Sequence, residues 1–301
     1  MKRLLLLGLV ITLFFSSCVQ FKYLPVPVDY GAKFSFKPDT TTILLINQFD
    51  FNKLKINNKR KLDAIKSGAF TATKYAGNRL TQIPHVRVIN LVDSATVSTT
   101  ADSIKDLAAK YNSDYVLALT NFTADIVLSG TTSSVAYYNS DVLVNFTLFE
   151  GNGIYFRKLA GAVNEPQSQG IYLGLFASLV IHPTVGGNKG SINSSAEHAT
   201  DIAVQDYFPY TLTHNRLLYN DDLLQPAVSE IFAGHYDKAY NLLLPLTQGA
   251  DAKLASKAAY NLAVVYEAQG DIDIAMNMAQ LSLDKNKNRF ATMLLADLKA
   301  E

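Results

Sequence analysis

Tryptophan is absent from the 301-residue chain and cysteine occurs once, at position 18. A single cysteine rules out an intrachain disulfide and any zinc or iron–sulfur site built on several thiolates. Charge of one sign is also lacking: 27 Lys and Arg stand against 26 Asp and Glu, a formal net charge of +1. That balance removes the basic footprint of a dedicated nucleic-acid binder, so no nucleic-acid partner is expected. No apolar run reaches the roughly 18 residues a membrane-spanning helix needs. The nearest candidate, Ile171 to Ile181, has the length of a buried helix. Hydrophobic residues nevertheless make up 49% and charged residues only 18%, which excludes a disordered chain and allows a sizeable core in about two domains.

The first segment reads as a processing signal over residues 1–17. Lys2 and Arg3 form a positive start, Leu4 to Phe15 is an apolar run, and Ser16 and Ser17 precede Cys18. Phe15-Ser16-Ser17-Cys18 resembles the lipobox of bacterial lipoproteins. The resemblance implies that Cys18 becomes the acylated N-terminus of the mature chain, a palmitate-type anchor that holds the protein at a membrane. Val19, Gln20, Phe21 and Lys22 lack the Asp of an inner-membrane retention signal and the acidic cluster of surface export. The expected location is therefore the periplasmic face of the outer membrane.

Residues 18–41, with Pro25, Pro27, Gly31 and Pro38, read as a tether that includes a short strand near Ala32 to Phe36. Residues 42–219 read as an α/β domain. Ile43 to Phe49 is a buried strand, and apolar residues at Leu62, Ile65, Ala69, Ala72, Ala76 and Leu80 mark one face of a helix over Lys59–Leu80. A short strand from Val86 to Leu91 and a helix from Thr100 to Lys110 follow. Asp114 to Leu128, Val135 to Phe149 and Ile154 to Val163 then read as an antiparallel meander. Beyond Gln167 a helix is expected to His182, then a loop over Pro183–Ser194, then a helix from Ser195 toward Leu218. That last helix is expected to run on into the following stack.

From residue 220 to 301 the pattern is helical. Gly234-His235-Tyr236-Asp237-Lys238-Ala239 recurs 36 residues later as Gly270-Asp271-Ile272-Asp273-Ile274-Ala275. With Ala259, Tyr260, Leu262, Ala263, Tyr266 and Ser282, this resembles the tetratricopeptide repeat: two copies and a closing helix. The first copy departs from the pattern at Pro226, Ala227 and Glu230, and Pro245 falls inside its second helix. The resemblance implies a protein-binding face, for which Lys257, Tyr260, Val264, Glu267 and Ala268 are the candidate residues. Ser113-Asp114-Tyr115-Val116-Leu117 entering a meander is similar to the amino-terminal domain of TolB and to the curli-export lipoproteins. The whole layout resembles a Bacteroidota lipoprotein family with no assigned activity. The fold class expected is thus α+β, a mixed sheet with packed helices followed by an all-α tail.

The chemistry-bearing residues form no strong constellation. No H-E-x-x-H pair occurs among His85, His182, His198, His214 and His235, and no G-x-S-x-G elbow is present. Glu197-His198, with Asp201 a turn on, reads as a solvated helix start. Gly186-Gly187-Asn188-Lys189-Gly190-Ser191 lacks the Gly-Lys-Ser register of a phosphate loop. No catalytic residue, metal or cofactor is expected. The reading is a lipid-anchored, non-enzymatic scaffold for an envelope protein partner. The alternatives are an oligomeric, secretion- or pore-associated lipoprotein, suggested by the curli-export resemblance and by alternation at Phe122, Ala124, Ile126, Leu128 and Val142, Val144, Phe146, Leu148, and, behind it, an envelope enzyme.

Overall fold

The computed structural model describes residues 22–37, 39–91, 100–132, 134–170 and 183–300. Cys18 and the expected helix over Ile171–Ile181 lie outside them. In chain order the strands are β1 (Lys22–Tyr30), β2 (Thr41–Asn47), β3 (Val86–Asn90), β4 (Tyr115–Thr131), β5 (Val135–Glu150), β6 (Phe156–Gly170) and β7 (Tyr210–Leu218). The α-helices are α1 (Lys59–Leu80), α2 (Ala101–Tyr111), α3 (Lys189–Val204), α4 (Gln225–Phe232), α5 (Tyr236–Thr247), α6 (Ala252–Gln269), α7 (Ile272–Lys285) and α8 (Arg289–Leu298). The chain divides into two compact units, Ala32–Pro209 and a second made from the chain on either side of it.

The α/β unit is built on a five-stranded sheet of order β3-β2-β4-β5-β6. β2 runs parallel to β3 and β4, while β4, β5 and β6 form the antiparallel meander. Parallel central strands must be buried on both faces, and β2 accordingly reads as an unbroken apolar run. Ile43 and Leu45 face α1 and α3, whereas Leu44 and Ile46 face Ile104 and Ala108 of α2. Alanines line α1 at Ala64, Ala69, Ala72 and Ala76, which lets the helix lie close on the sheet. Asn58 caps α1 by accepting from the Lys61 amide at 3.1 Å, the Asn side chain filling an otherwise orphaned donor.

Helix α3 corrects the reading of its region. The helix starts at Lys189, inside the segment expected to be a loop, and ends at Val204 rather than running to Leu218. It crosses β6 at Gly161, where a Cβ would collide with the Ala199 carbonyl. A short 3-10 turn, Gln205–Tyr207, follows, and then Pro209, which lacks an amide hydrogen, stops further helix.

In the helical unit, residues 22–30 are no tether and residues 210–218 are no helix. They pair antiparallel along their whole length, Lys22 with Leu218 through Tyr30 with Tyr210. Leu24, Val26 and Val28 alternate inward and Pro25 and Pro27 outward, and a strand with a free edge tolerates prolines where the missing amide would point away from the partner strand. The inward residues join Leu218, Leu224, Val228 and Leu262 in one core with the helices. No strand is present at Ala32–Phe36.

The helices form two hairpins, α4–α5 and α6–α7, closed by α8. Gly234 and Gly270 carry φ of +73° and +83° at the two hairpin turns, a conformation that costs glycine nothing. Ala263 and Ala275 are buried where α6 and α7 cross. Pro226 falls in the first turn of α4, where no backbone donor is needed, so the departure from the repeat pattern there does not break the helix.

Candidate functional site

The residues expected to meet a partner are met by the chain itself. Tyr219, just after β7, stands edge-on to Tyr260 at 5.4 Å between ring centroids. Lys257 pairs with Asp221 and lies 5.2 Å from the centre of the Tyr219 ring. Glu267, with a fully buried side chain, accepts from Arg216 Nε at 2.9 Å, and Arg216 also pairs with Asp297. Val264 is fully buried and Ala268 is half-buried against the same core. The carboxylates hold the Arg216 guanidinium charged against its burial, and burial pushes the Tyr260 hydroxyl well above its usual range. The open face expected at these five positions is thus corrected: β1, β7 and Tyr219 fill it. Among the apolar side chains that stay exposed on these helices are Phe232, Leu242, Leu244, Ile274 and Met293, each 38–53% exposed.

In the α/β unit, Glu197 and Asp201 do not assemble around His198. Asp201 pairs with Arg79 at 2.6 Å, and His198 pairs through Nδ1 with Glu165 of β6. Ser195, fully buried, donates to the same Glu165 at 2.5 Å and lies 3.0 Å from Ser140. The carboxylate therefore stands between hydroxyl and imidazole. A serine nucleophile needs the imidazole in the middle, so that the ring takes the hydroxyl proton. Burial pushes Glu165 up, but the Ser195 and His198 hydrogen bonds outweigh it and leave the carboxyl below its ordinary value of 4.5. His198, hydrogen-bonded to Glu165, is held above 6.5. Such a depressed carboxylate is a weak base, and the cluster reads as a tie between α3 and β6. Among the described residues no group of three or more metal-ligating side chains comes together.

A cavity of about 270 Å³ lies under the strap of residues 32–37. The strap is latched at its start, where the Phe34 amide donates to the Asp206 carbonyl at 3.0 Å and Lys33 pairs with the Asp206 side chain at 2.8 Å. Phe36 stacks on Tyr207 at 4.7 Å and meets Tyr115 edge-on at 5.3 Å. The Arg157 guanidinium of β6 lies over the Phe34 ring, 3.4 Å from its centre. Its Nη1 is buried with no hydrogen-bond partner. The Tyr155 hydroxyl is the chief influence holding the guanidinium above its ordinary range, against the opposing effect of burial. Burial in turn raises Tyr207. A second cavity of about 460 Å³, lined by Pro84, His85 and Phe208, shares Phe34, Phe36 and Tyr207 as its wall. No helix among the described residues is long and apolar enough to cross a membrane.

Of these cavity residues only Tyr115 belongs to a motif, the Ser113–Leu117 run that opens the meander. The other signal was phase: Arg157 falls in step with Leu159 and Val163, the inward positions of β6, where an arginine is out of place.

The helical unit has a matching family model. Residues 226–299 match a domain of unknown function, DUF6340. That span covers the helices from α4 to α8. No curated protein matches the chain. Among solved structures, the chain is similar to a point-substituted PelC dodecamer from Paraburkholderia phytofirmans, at 10% identity and a TM-score of 0.28, over 62% of this chain and 99% of that one. A second PelC dodecamer from the same organism gives 11% identity and a TM-score of 0.26, over 60% and 98%.

Proposed function

We propose that the protein is a lipid-anchored, non-catalytic scaffold of the cell envelope that holds a protein partner through its helical unit. The observation that carries this reading is the apolar surface that the helices leave exposed. Tyr260 and Val264 are spent on the chain's own core, while Phe232, Leu242, Leu244, Ile274 and Met293 stay exposed. Large apolar side chains exposed within one small unit are a usual mark of an interaction surface. The spacing of Gly234, Ala239, Gly270 and Ala275 supports a tetratricopeptide-like hairpin stack, an architecture that presents surfaces to other chains. The leader ending in Cys18 supports an acylated anchor, and its flanking residues support the periplasmic face of the outer membrane.

The Leu242→Glu and Met293→Glu double variant of the full chain tests this. It is expected to keep its melting temperature and its membrane fraction yet to lose the partner that co-purifies with the unsubstituted chain after cross-linking. Retention of the same partner would refute the reading.

A second reading, assembly into an oligomer, is favoured by β6. Its outer edge, over 15 residues, pairs with no strand among the described residues, and free edges of that length invite strand addition. The mass of the mature protein in detergent decides: a single monomer mass at high concentration removes this reading.

A further inference from the structure

We propose that the cavity between the 32–37 strap and the sheet binds a small monocarboxylate with a flat apolar body, the carboxylate on Arg157 and a donor group of the ligand on Glu150. The face of the Arg157 guanidinium is spent on Phe34, 3.4 Å away, and part of its edge on the Tyr155 and Tyr207 hydroxyls. Nη1 is buried without a partner. A shielded donor on a permanently charged group is costly to leave unmet, and native structures seldom do so. The planar fork of a guanidinium matches the two oxygens of a carboxylate.

The walls define the rest of the ligand. Phe36, Tyr115 and Tyr207 pack on one another at 4.7–5.3 Å and together give the cavity an aromatic wall, against which a flat apolar body can lie. A volume of about 270 Å³ admits a molecule the size of one amino acid and excludes a lipid chain or a long peptide. Charge selects a single negative group. Lys33 lines the cavity but is paired with Asp206, while Glu150 lines it and forms no ion pair with Arg157. One guanidinium and one carboxylate in the lining balance a zwitterion, whereas a dianionic phosphate would be repelled by Glu150. The site lies wholly in the α/β unit and does not depend on the role of the helices.

Titrating the ¹⁵N-labelled mature protein with L-phenylalanine, benzoate and inorganic phosphate, and following the arginine Nε–Hε signals, tests the proposal. The signal that disappears in Arg157→Lys identifies Arg157. Both carboxylates are expected to shift it saturably, and phosphate at equal concentration to leave it in place. Arg157→Lys, which keeps the charge and loses the fork, should weaken both carboxylates at least tenfold. Glu150→Gln should weaken phenylalanine several-fold more than benzoate, which has no ammonium. A backbone amide spectrum like that of the unsubstituted protein confirms that each variant is folded, and Phe34→Leu, which removes the ring under the guanidinium, gives a second route to the same loss. No saturable shift with either carboxylate, equal binding of phosphate, or unchanged affinity in folded Arg157→Lys would each overturn the proposal.

Discussion

Arg216 shows how one side chain organises its neighbourhood. Its guanidinium reaches Glu267 on α6 and Asp297 on α8 from the end of β7, so three elements are tied at one point. The pair with Glu267 is shielded, with side-chain exposures of 9% and 0%. Removing one partner of a buried pair costs about 3–5 kcal/mol when the charge is left alone, and Arg216 keeps the half-exposed Asp297. Glu267→Ala is therefore expected to destabilise the helical unit by less than that, about 2–3 kcal/mol, in urea unfolding followed by circular dichroism. The Arg216→Met, Glu267→Leu double variant should recover most of the loss, because neither charge then remains to be solvated.

The Glu165–His198 pair, mostly open to water at the histidine, makes a smaller contribution that depends on pH. A lowered carboxylate stabilises the fold above its unfolded value and loses this as pH falls through the folded one. A raised histidine stabilises below its unfolded value and loses this as pH rises. Both parts are fully present only between the ordinary values, 4.5 and 6.5. Stability of the unsubstituted protein should thus decline on going from pH 6 to pH 8 more than that of Glu165→Gln. Thermal melts at the two pH values check it, and equal slopes would show that the pair is inert.

At the scale of elements, periodicity was a good guide wherever one face of an element is buried. Helix α1 ends at the residues the alanine spacing marks, and β4 and β5 lie where their alternation puts them. Reading failed where local composition and long-range pairing pull apart. Prolines at 25 and 27 suggested a tether, yet Leu24, Val26 and Val28 between them keep a strict period of two, and β7, some 180 residues away, supplies the pairing. Residues 210–218 likewise carry the strand-forming Tyr210, Thr211 and Thr213, but their partner could not be found locally. The candidate cavity was hidden for the same reason: Phe34, Tyr115, Arg157 and Tyr207 come from four separate stretches and meet only in the fold.

Leu218 and Leu224 find their apolar partners in β1, not in a helix upstream. A polar group placed among them has no compensating partner. Val26→Asp is thus expected to lower the melting temperature of the helical signal by at least about 10 °C, a loss of a few kcal/mol for a unit of this size. Residues 195–301 prepared alone should melt broadly, because they contain β7 without β1. A sharp transition for that fragment at the temperature of the mature protein would show that the ribbon is dispensable.

In the whole molecule, the proposed lipid anchor would precede an α/β unit with an arginine-bearing cavity and a helical unit that packs on its own strands. The central claim is that a protein partner meets the exposed apolar residues of those helices. Photo-reactive residues placed in the living envelope, one at a time, at the exposed Leu242 and Met293 and at the buried Val264, test it most directly. The account predicts a discrete heavier adduct from Leu242 and Met293, and none from Val264, in chains of unchanged abundance. Adducts from Val264, or from neither exposed position, would contradict it.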